Sequence, residues 1–256
     1  MIESESAGTG EPLVLLHAGV CDMRMWDVLW PRLTAGRHVL RADLQGFGRS
    51  PVTGAEYCHA GDVAELIQAQ GVGPATVVGC SMSGRVAVEL AVAHPELVSR
   101  LVLVDAGLPD HDWSAALQEF GAAEDAALEA GDLDAAVELN LRMWVDGPQR
   151  TPAEPDPAVR ELVGRMQRRA FELYLAAPDA EERPLVEGVG GLLGEVAAPS
   201  LVIAGELDVP DFLDIARRLA SGIPSARLVT LPAAAHLPSM ERPDEFAALV
   251  EAFLGS

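Results

Sequence analysis

Val77-Val78-Gly79-Cys80-Ser81-Met82-Ser83-Gly84 passes from a β-branched run into a helical pattern, with a serine at the turn. A strand that bends this sharply into a helix needs small residues on either side of the bend. Gly79 supplies one before Ser81, while Ser83 stands where the pattern G-x-S-x-G has its second glycine, and Gly84 follows. The bend lifts the Ser81 hydroxyl above the sheet, with a helix N-terminus beneath it whose dipole favours developing negative charge. The plain alternative is that Ser81 only caps the helix starting near Met82. Cys80 is expected to face away from the bend, which argues against the thiol as nucleophile.

Outward from this turn, short apolar runs alternate with amphipathic segments, the pattern of a mostly parallel sheet covered by helices. The strands are read at Leu13–Leu16, His38–Ala42, Ala75–Gly79, Leu101–Val104, Leu201–Ala204 and Arg227–Leu231. The helices are read at Ala60–Gln70, Gly84–Ala93, Phe212–Ala220 and Pro243–Leu254. Residues 109–198 break the rhythm. They are rich in Ala, Leu and Glu and divided by Gly131, Gly147-Pro148, Pro152 to Pro157 and Pro178. No clear strand is read there, and the stretch is expected to be an insertion of helices between two sheet strands. The fold class is therefore α/β, with a core at 1–108 and 199–256 and a helical insertion at 109–198.

A serine hydroxyl is a weak nucleophile at neutral pH and needs a base. His236, in Ala233-Ala234-Ala235-His236-Leu237-Pro238, follows the last strand, so it belongs to the carboxyl edge of the sheet, where sites gather. His38, His59, His94 and His111 lie at a strand start, a helix end or connections. The imidazole needs an orienting carboxylate. Asp208, in Gly205-Glu206-Leu207-Asp208, follows the penultimate strand and is preferred. Asp105 ends another strand and is the rival, and Glu206 is a third candidate. Leu16-His17-Ala18-Gly19-Val20 ends the first central strand. The backbone N–H of Gly19, or of Val20, is expected to hydrogen-bond a developing oxyanion together with the N–H of Met82. His17 is expected to hold that loop rather than act as a base.

The 256 residues suffice for one large core, and 49% are apolar. The net charge is −21, from 39 acidic and 18 basic residues, which disfavours nucleic acid and anionic membranes as partners. Every basic residue other than histidine is arginine, so mechanisms that use lysine as a nucleophile are excluded. The start Met1-Ile2-Glu3-Ser4-Glu5 shows no secretory pattern, and no run is apolar enough to span a bilayer. Cys21, Cys58 and Cys80 have neither metal-type nor redox-type spacing, so no metal or cofactor is implied and a reducing, cytoplasmic setting is expected.

Together, Leu16-His17-Ala18-Gly19, Asp43-Leu44-Gln45-Gly46-Phe47-Gly48-Arg49-Ser50, Gly79–Gly84, Gly205–Asp208 and Ala235-His236 resemble the α/β-hydrolase family, in the right order and across nearly the whole chain. The resemblance implies the α/β-hydrolase fold, a helical cap at 109–198, and Ser81, Asp208 and His236 as nucleophile, acid and base. It also implies that the Asp43–Ser50 turn is structural and that the family's first edge strand is missing. Ala18 departs from a glycine common in the oxyanion loop. Within the family, Gly8–Pro12 and Arg24-Met25-Trp26 resemble enol-lactone hydrolases and small-molecule esterases. The implied activity is hydrolysis of a small or medium ester or lactone through an acyl-enzyme. The alternatives are cleavage of a carbon–carbon bond beside a ketone, or ligand binding without turnover. A small-molecule substrate is expected, with Val20 and Trp144 as contacts. Arg165, Arg168 and Arg169 could bind a substrate carboxylate, but they are expected to pair with Glu161 and Glu172 at helical spacing on a solvated face.

Overall fold

The computed structural model describes residues 2–255. Nine strands occur among them: β1 (Ser4–Ala7), β2 (Pro12–Leu16), β3 (His38–Ala42), β4 (Glu56–Tyr57), β5 (Ala75–Cys80), β6 (Val98–Val104), β7 (Glu181–Glu182), β8 (Ser200–Gly205) and β9 (Ala226–Leu231). Seven form one sheet in the order β1-β3-β2-β5-β6-β8-β9, and β4 pairs with β7 separately. Only β1 runs antiparallel within the large sheet, against β3. The helices are α1 (Trp30–Thr34), α2 (His59–Gln70), α3 (Met82–Ala93), α4 (Ala115–Glu129), α5 (Leu133–Asn140), α6 (Pro157–Ala176), α7 (Pro210–Gly222), α8 (Pro238–Glu241) and α9 (Pro243–Leu254).

The central strands are apolar on both faces because both faces are covered. Successive residues feed two separate cores. Val14 and Leu16, Val77, Leu101 and Leu103, and Val202 and Ala204 face one. Leu13 and Leu15, Val78, Val102 and Val104, and Leu201 and Ile203 face the other. A one-residue slip would exchange the two sets, so the pairing register is closely specified. All six strands read from sequence are present, most of them a residue or more longer. Ser4–Ala7 is a seventh strand that the sequence reading did not mark: its polar residues pair along an edge and give no apolar run.

The chain changes direction across the sheet at β2, which has β3 on one side and β5 on the other. The carboxyl ends of β2 and β5 therefore diverge into loops that leave a crevice between them, the usual place for a ligand in an open α/β sheet. His17 braces one wall. Its Nδ1–H donates to Ala18 O at 2.9 Å, and its Nε2 accepts from Leu44 N–H at 3.0 Å. Both ring nitrogens are used and the ring is buried, so it is held neutral, as burial also pushes its pKa down. Asp43 closes the following turn by accepting from Met23 N–H and Arg49 N–H, each at 2.8 Å. Gly48 has φ +50°, and a Cβ there would overlap the Asp43 carboxylate.

Residues 109–198 contain α4, α5 and α6, the short strand β7 and two single 3₁₀ turns. The two-residue ladder between β4 and β7 was not read from sequence, being too short to show periodicity. The insertion packs on the sheet through Ala136, Val137, Leu141, Val145, Val163, Met166 and Phe171, which join the same core as Leu13 and Trp26. Arg85 of α3 ties its far end down through ion pairs to Glu89 and Glu182.

His59 opens α2 buried against Phe47 and Tyr57, and burial lowers its pKa to about 3. The unfolded chain, with histidine near 6.5, binds one more proton than the folded chain between these values. Stability is thus complete above about pH 6.5 and falls by up to about 1.4 kcal/mol per pH unit per such histidine on going lower. Urea titrations from pH 7 to 4.5 should show a shallower loss for His59→Phe than for the parent chain. Equal slopes would show that His59 is not held neutral.

Candidate active site

Three backbone departures cluster at one edge of the sheet. Ser81 after β5, Asp105 after β6 and Ala233 after β9 have φ of +53°, +40° and +57°, and they are the non-glycine residues with positive φ among the described residues. Each such residue costs on the order of 1–3 kcal/mol and persists only where its surroundings hold it. At Ser81 the restraint is visible. Its N–H donates to Val104 O at 2.9 Å, and its carbonyl accepts from Gly84 N–H at 2.9 Å and Gly107 N–H at 3.0 Å. A Cβ on Gly79 would overlap the Ser83 carbonyl, and one on Gly84 would overlap Ala106. Ser83, in place of glycine, is accommodated because its buried hydroxyl closes the turn: it accepts from Cys80 N–H at 2.9 Å and donates to Cys80 O at 3.1 Å.

Ser81 occupies the N-cap position of α3, yet its side chain makes no capping bond. Its Oγ instead lies 2.7 Å from His236 Nε2. The ring's Nδ1–H donates to Asp208 Oδ2 at 2.8 Å, and Asp208 Oδ1 accepts from Val209 N–H at 2.7 Å. Hydroxyl, imidazole and carboxylate thus form one chain, from residues separated by up to 155 positions. His236 and Asp208 are buried and Ser81 is partly exposed. Cys80 is fully buried, and burial raises its thiol pKa, which leaves it unreactive. Glu206 is exposed and bonds only Ala233 N–H. Asp105 bonds Gly205 N–H at 2.9 Å and does not reach the histidine.

A family pattern described as alpha/beta hydrolase fold matches residues 11–243. The chain belongs to this family. Over 270 residues it is 28% identical to a pimeloyl-[acyl-carrier protein] methyl ester esterase of Aeromonas hydrophila, covering 99% of each chain. It is 27% identical to a 2-hydroxy-6-oxo-6-phenylhexa-2,4-dienoate hydrolase of Comamonas testosteroni, covering 99% of this chain and 91% of the other. The solved structure of a thermophilic esterase from Thermogutta terrifontis superposes with a TM-score of 0.81 at 26% identity, covering 99% and 92% of the two chains. The chain is thus a hydrolase-family enzyme, whose relatives include esterases and hydrolases of 2-hydroxy-6-oxo dienoates.

In this α/β-hydrolase Met82 is the first residue of α3, so its N–H belongs to the first turn, whose N–H groups have no partner within the helix. Gly19 lies directly across from it. A Cβ built on Gly19 would come to 3.5 Å from the Met82 Cβ, so the two backbones flank one small space. Val20 is almost fully buried in the core that also contains Trp26 and Met166, leaving little surface for a ligand. Trp144 sits in a π-helical turn, Leu141–Asp146, with its ring 4.6 Å from that of His236. Phe212 meets the same imidazole at 4.5 Å and packs against Trp144 at 5.5 Å, and Trp113 and Phe120 extend the aromatic cluster. Phe212 escaped the sequence reading because its spacing on α7 is that of an ordinary core residue.

Two openings meet this region. A cleft of about 360 Å³ between sheet and insertion is lined by Gly19, Phe47, Tyr57, Glu124, Gln167 and Phe171, among others. A shallower one of about 240 Å³ touches Ser81, Met82, Gly107, Trp113 and Phe212. Among the described residues no arginine lines the first, and Arg85, which lines the second, is paired with Glu89 and Glu182. Arg165 and Arg169 pair with Glu161 and Glu172 as expected, whereas Arg168 pairs with Asp134 of α5 and with neither glutamate, because its side chain reaches the neighbouring helix.

The loop carrying His236 is held from behind. Glu241 accepts from the N–H groups of Ala235 and Leu237, on either side of the histidine. Arg150, from the insertion, pairs with Glu241 at 2.6 Å and also bonds the carbonyls of Val145 and Asp146, next to Trp144. Nothing in the spacing of residues 150 and 241 signals this contact. Arg150→Met should leave the Glu241 charge buried without its cation and cost about 3–5 kcal/mol in urea unfolding. A loss under 1 kcal/mol would show that the pair is dispensable.

Proposed function

We propose that the protein hydrolyses a small or medium carboxylic ester or lactone through an acyl-enzyme on Ser81. The observation that carries this reading is the continuous Ser81–His236–Asp208 hydrogen-bond chain. His236 accepts the Ser81 proton as Oγ attacks the carbonyl. Asp208 holds the ring in the tautomer that leaves Nε2 free to accept, and stabilises the imidazolium. The tetrahedral oxyanion rests on the N–H groups of Met82 and Gly19. Collapse expels the alcohol, with its proton from His236. The same histidine then activates water to release the acid. No step needs a metal or organic cofactor, and the substrate is a small molecule rather than nucleic acid or membrane.

Residues 109–198 serve as a cap in this reading, with Trp144 and Phe212 excluding water from the histidine. Val20 is retained as a minor contact. The cleft's acidic residues and its lack of arginine favour a neutral, largely apolar substrate. The three free cysteines suit a reducing cytoplasm. A second reading, cleavage of a carbon–carbon bond beside a ketone, is favoured by the similarity to the Comamonas hydrolase and uses the same three side chains.

Ser81→Ala should fold normally and lose turnover of activated esters by on the order of 10⁶-fold, and Asp208→Asn by roughly 10⁴-fold. Retention of most activity in Ser81→Ala would refute the covalent mechanism. In matched pairs of esters, the neutral member should give the higher kcat/KM. A strong preference for the acidic member, abolished by Arg165→Ala or Arg168→Ala, would overturn the neutral-cleft reading. Faster turnover of vinylogous diketones than of any ester or lactone would establish the second activity.

A further inference from the structure

Asp105 is buried to zero exposure at the carboxyl end of β6, beneath the turn that carries Asp208. Its backbone is strained, at φ +40°, and pinned by its N–H donating to Ile203 O at 2.9 Å. One carboxyl oxygen accepts from Gly205 N–H at 2.9 Å. Gly205 in turn accepts from Asp208 N–H at 3.2 Å, so Asp105 bonds the same short turn that carries Asp208. The other Asp105 oxygen, Oδ2, is buried with no hydrogen-bond donor. The Asp105 carboxyl as a whole lies within hydrogen-bonding reach of the Asp208 carboxyl. Two carboxylates meeting there would be acceptor against acceptor. One proton between them converts the encounter into a hydrogen bond.

The partners decide which acid carries the proton. Asp208 already accepts from Val209 N–H and from His236 Nδ1–H. Asp105 accepts one backbone N–H, and among the described residues no cation pairs with it. The other ionisable groups around the two acids are the Glu241 carboxylate, whose charge is paired with Arg150, the Cys80 thiol, and the His236 imidazole, whose Nδ1–H is already given to Asp208. Burial and the neighbouring Asp208 charge both push the Asp105 pKa well up.

We propose that Asp105 is a neutral carboxylic acid that donates a hydrogen bond from Oδ2 to Asp208 and so positions the acid of the Ser81–His236–Asp208 chain. The buried site then contains one negative charge, matched to one imidazolium as the reaction proceeds. A second charge would repel the first across an unsolvated gap. The strained turn at Asp105 is what directs its carboxyl under Asp208 rather than into the sheet. Asp105 is a positioning residue: it touches neither substrate nor the reacting atoms.

The proposal rests on the serine-hydrolase reading for its kinetic consequence, but the location of the proton can be observed without turnover. Asp105→Asn preserves the shape, with an amide that accepts from Gly205 N–H and donates to Asp208. At pH 8, infrared difference spectra of the whole chain should show a protonated-carboxyl band in the parent that Asp105→Asn lacks. In the kinetic arm, Asp105→Asn should keep kcat/KM within about threefold and leave the acid limb of the pH profile in place. Asp105→Ala removes the donor, leaves Asp208 a stronger partner for the imidazolium, and should move the acid limb to higher pH. It should also lower kcat/KM by about ten- to a hundredfold, the worth of one hydrogen bond to a charged group. An ionised Asp105 predicts the opposite: no band, and an acid limb that moves to lower pH in Asp105→Asn because a negative charge has been removed. Either result would overturn the proposal, as would an unchanged profile in Asp105→Ala. Should Asp105→Ala not fold, the asparagine variant and the infrared band decide. Should no substrate be turned over, the band alone decides whether Asp105 holds the proton, and the failure belongs to the proposed activity.

Discussion

The bend at Ser81 is the constraint on which the site is built. A serine at φ +53° between a buried parallel strand and a helix is unfavourable by itself, and neighbouring backbone meets the cost. Val104 accepts its N–H, Gly84 and Gly107 donate to its carbonyl, and Gly79 and Gly84 make room for the close approach of Ser83 and Ala106. Because these anchors belong to β6 and its loop as well as to α3, the hydroxyl is held by the sheet and not by the helix alone. That rigidity is what makes a 2.7 Å contact with His236 reproducible.

The sheet brings the remaining pieces to that point by topology. Parallel strands place all their carboxyl ends on one edge, so loops after β2, β5, β6, β8 and β9 converge although their residues are far apart in sequence. His17 bonds the first of these loops to the Asp43 turn, and Glu241 holds the last from below. The insertion contributes through Arg150 and Trp144, which meet the histidine's loop and ring respectively. Residues of this segment therefore pack directly against the ring and the support of His236.

Polar groups in this region are sorted by whether they find partners. Asp208 is buried and doubly bonded, Glu241 is buried and paired with Arg150, and Asp105 is buried with one oxygen lacking a donor. A carboxyl in the last situation is stable when neutral. The same reasoning explains His17 and His59, which are buried without a carboxylate partner and held uncharged. His236 differs from both in donating its Nδ1–H to a carboxylate, that of Asp208.

The sequence by itself determined the α/β pattern, its two-sided cores and the chain order of Ser81, Asp208 and His236. Those features are written in local periodicity, in small residues at a tight turn and in loop position after each strand. It also favoured Asp208 over Asp105, but on loop position alone. Only the tertiary structure decided how these groups meet. It showed that Ser81 turns away from capping its helix toward the imidazole, and that Asp105 lies beneath Asp208. It also revealed Arg150 against Glu241 and Phe212 against His236. Such contacts join segments tens to more than a hundred residues apart. Each depends on the side-chain direction that packing imposes, and neither spacing nor composition carries that information.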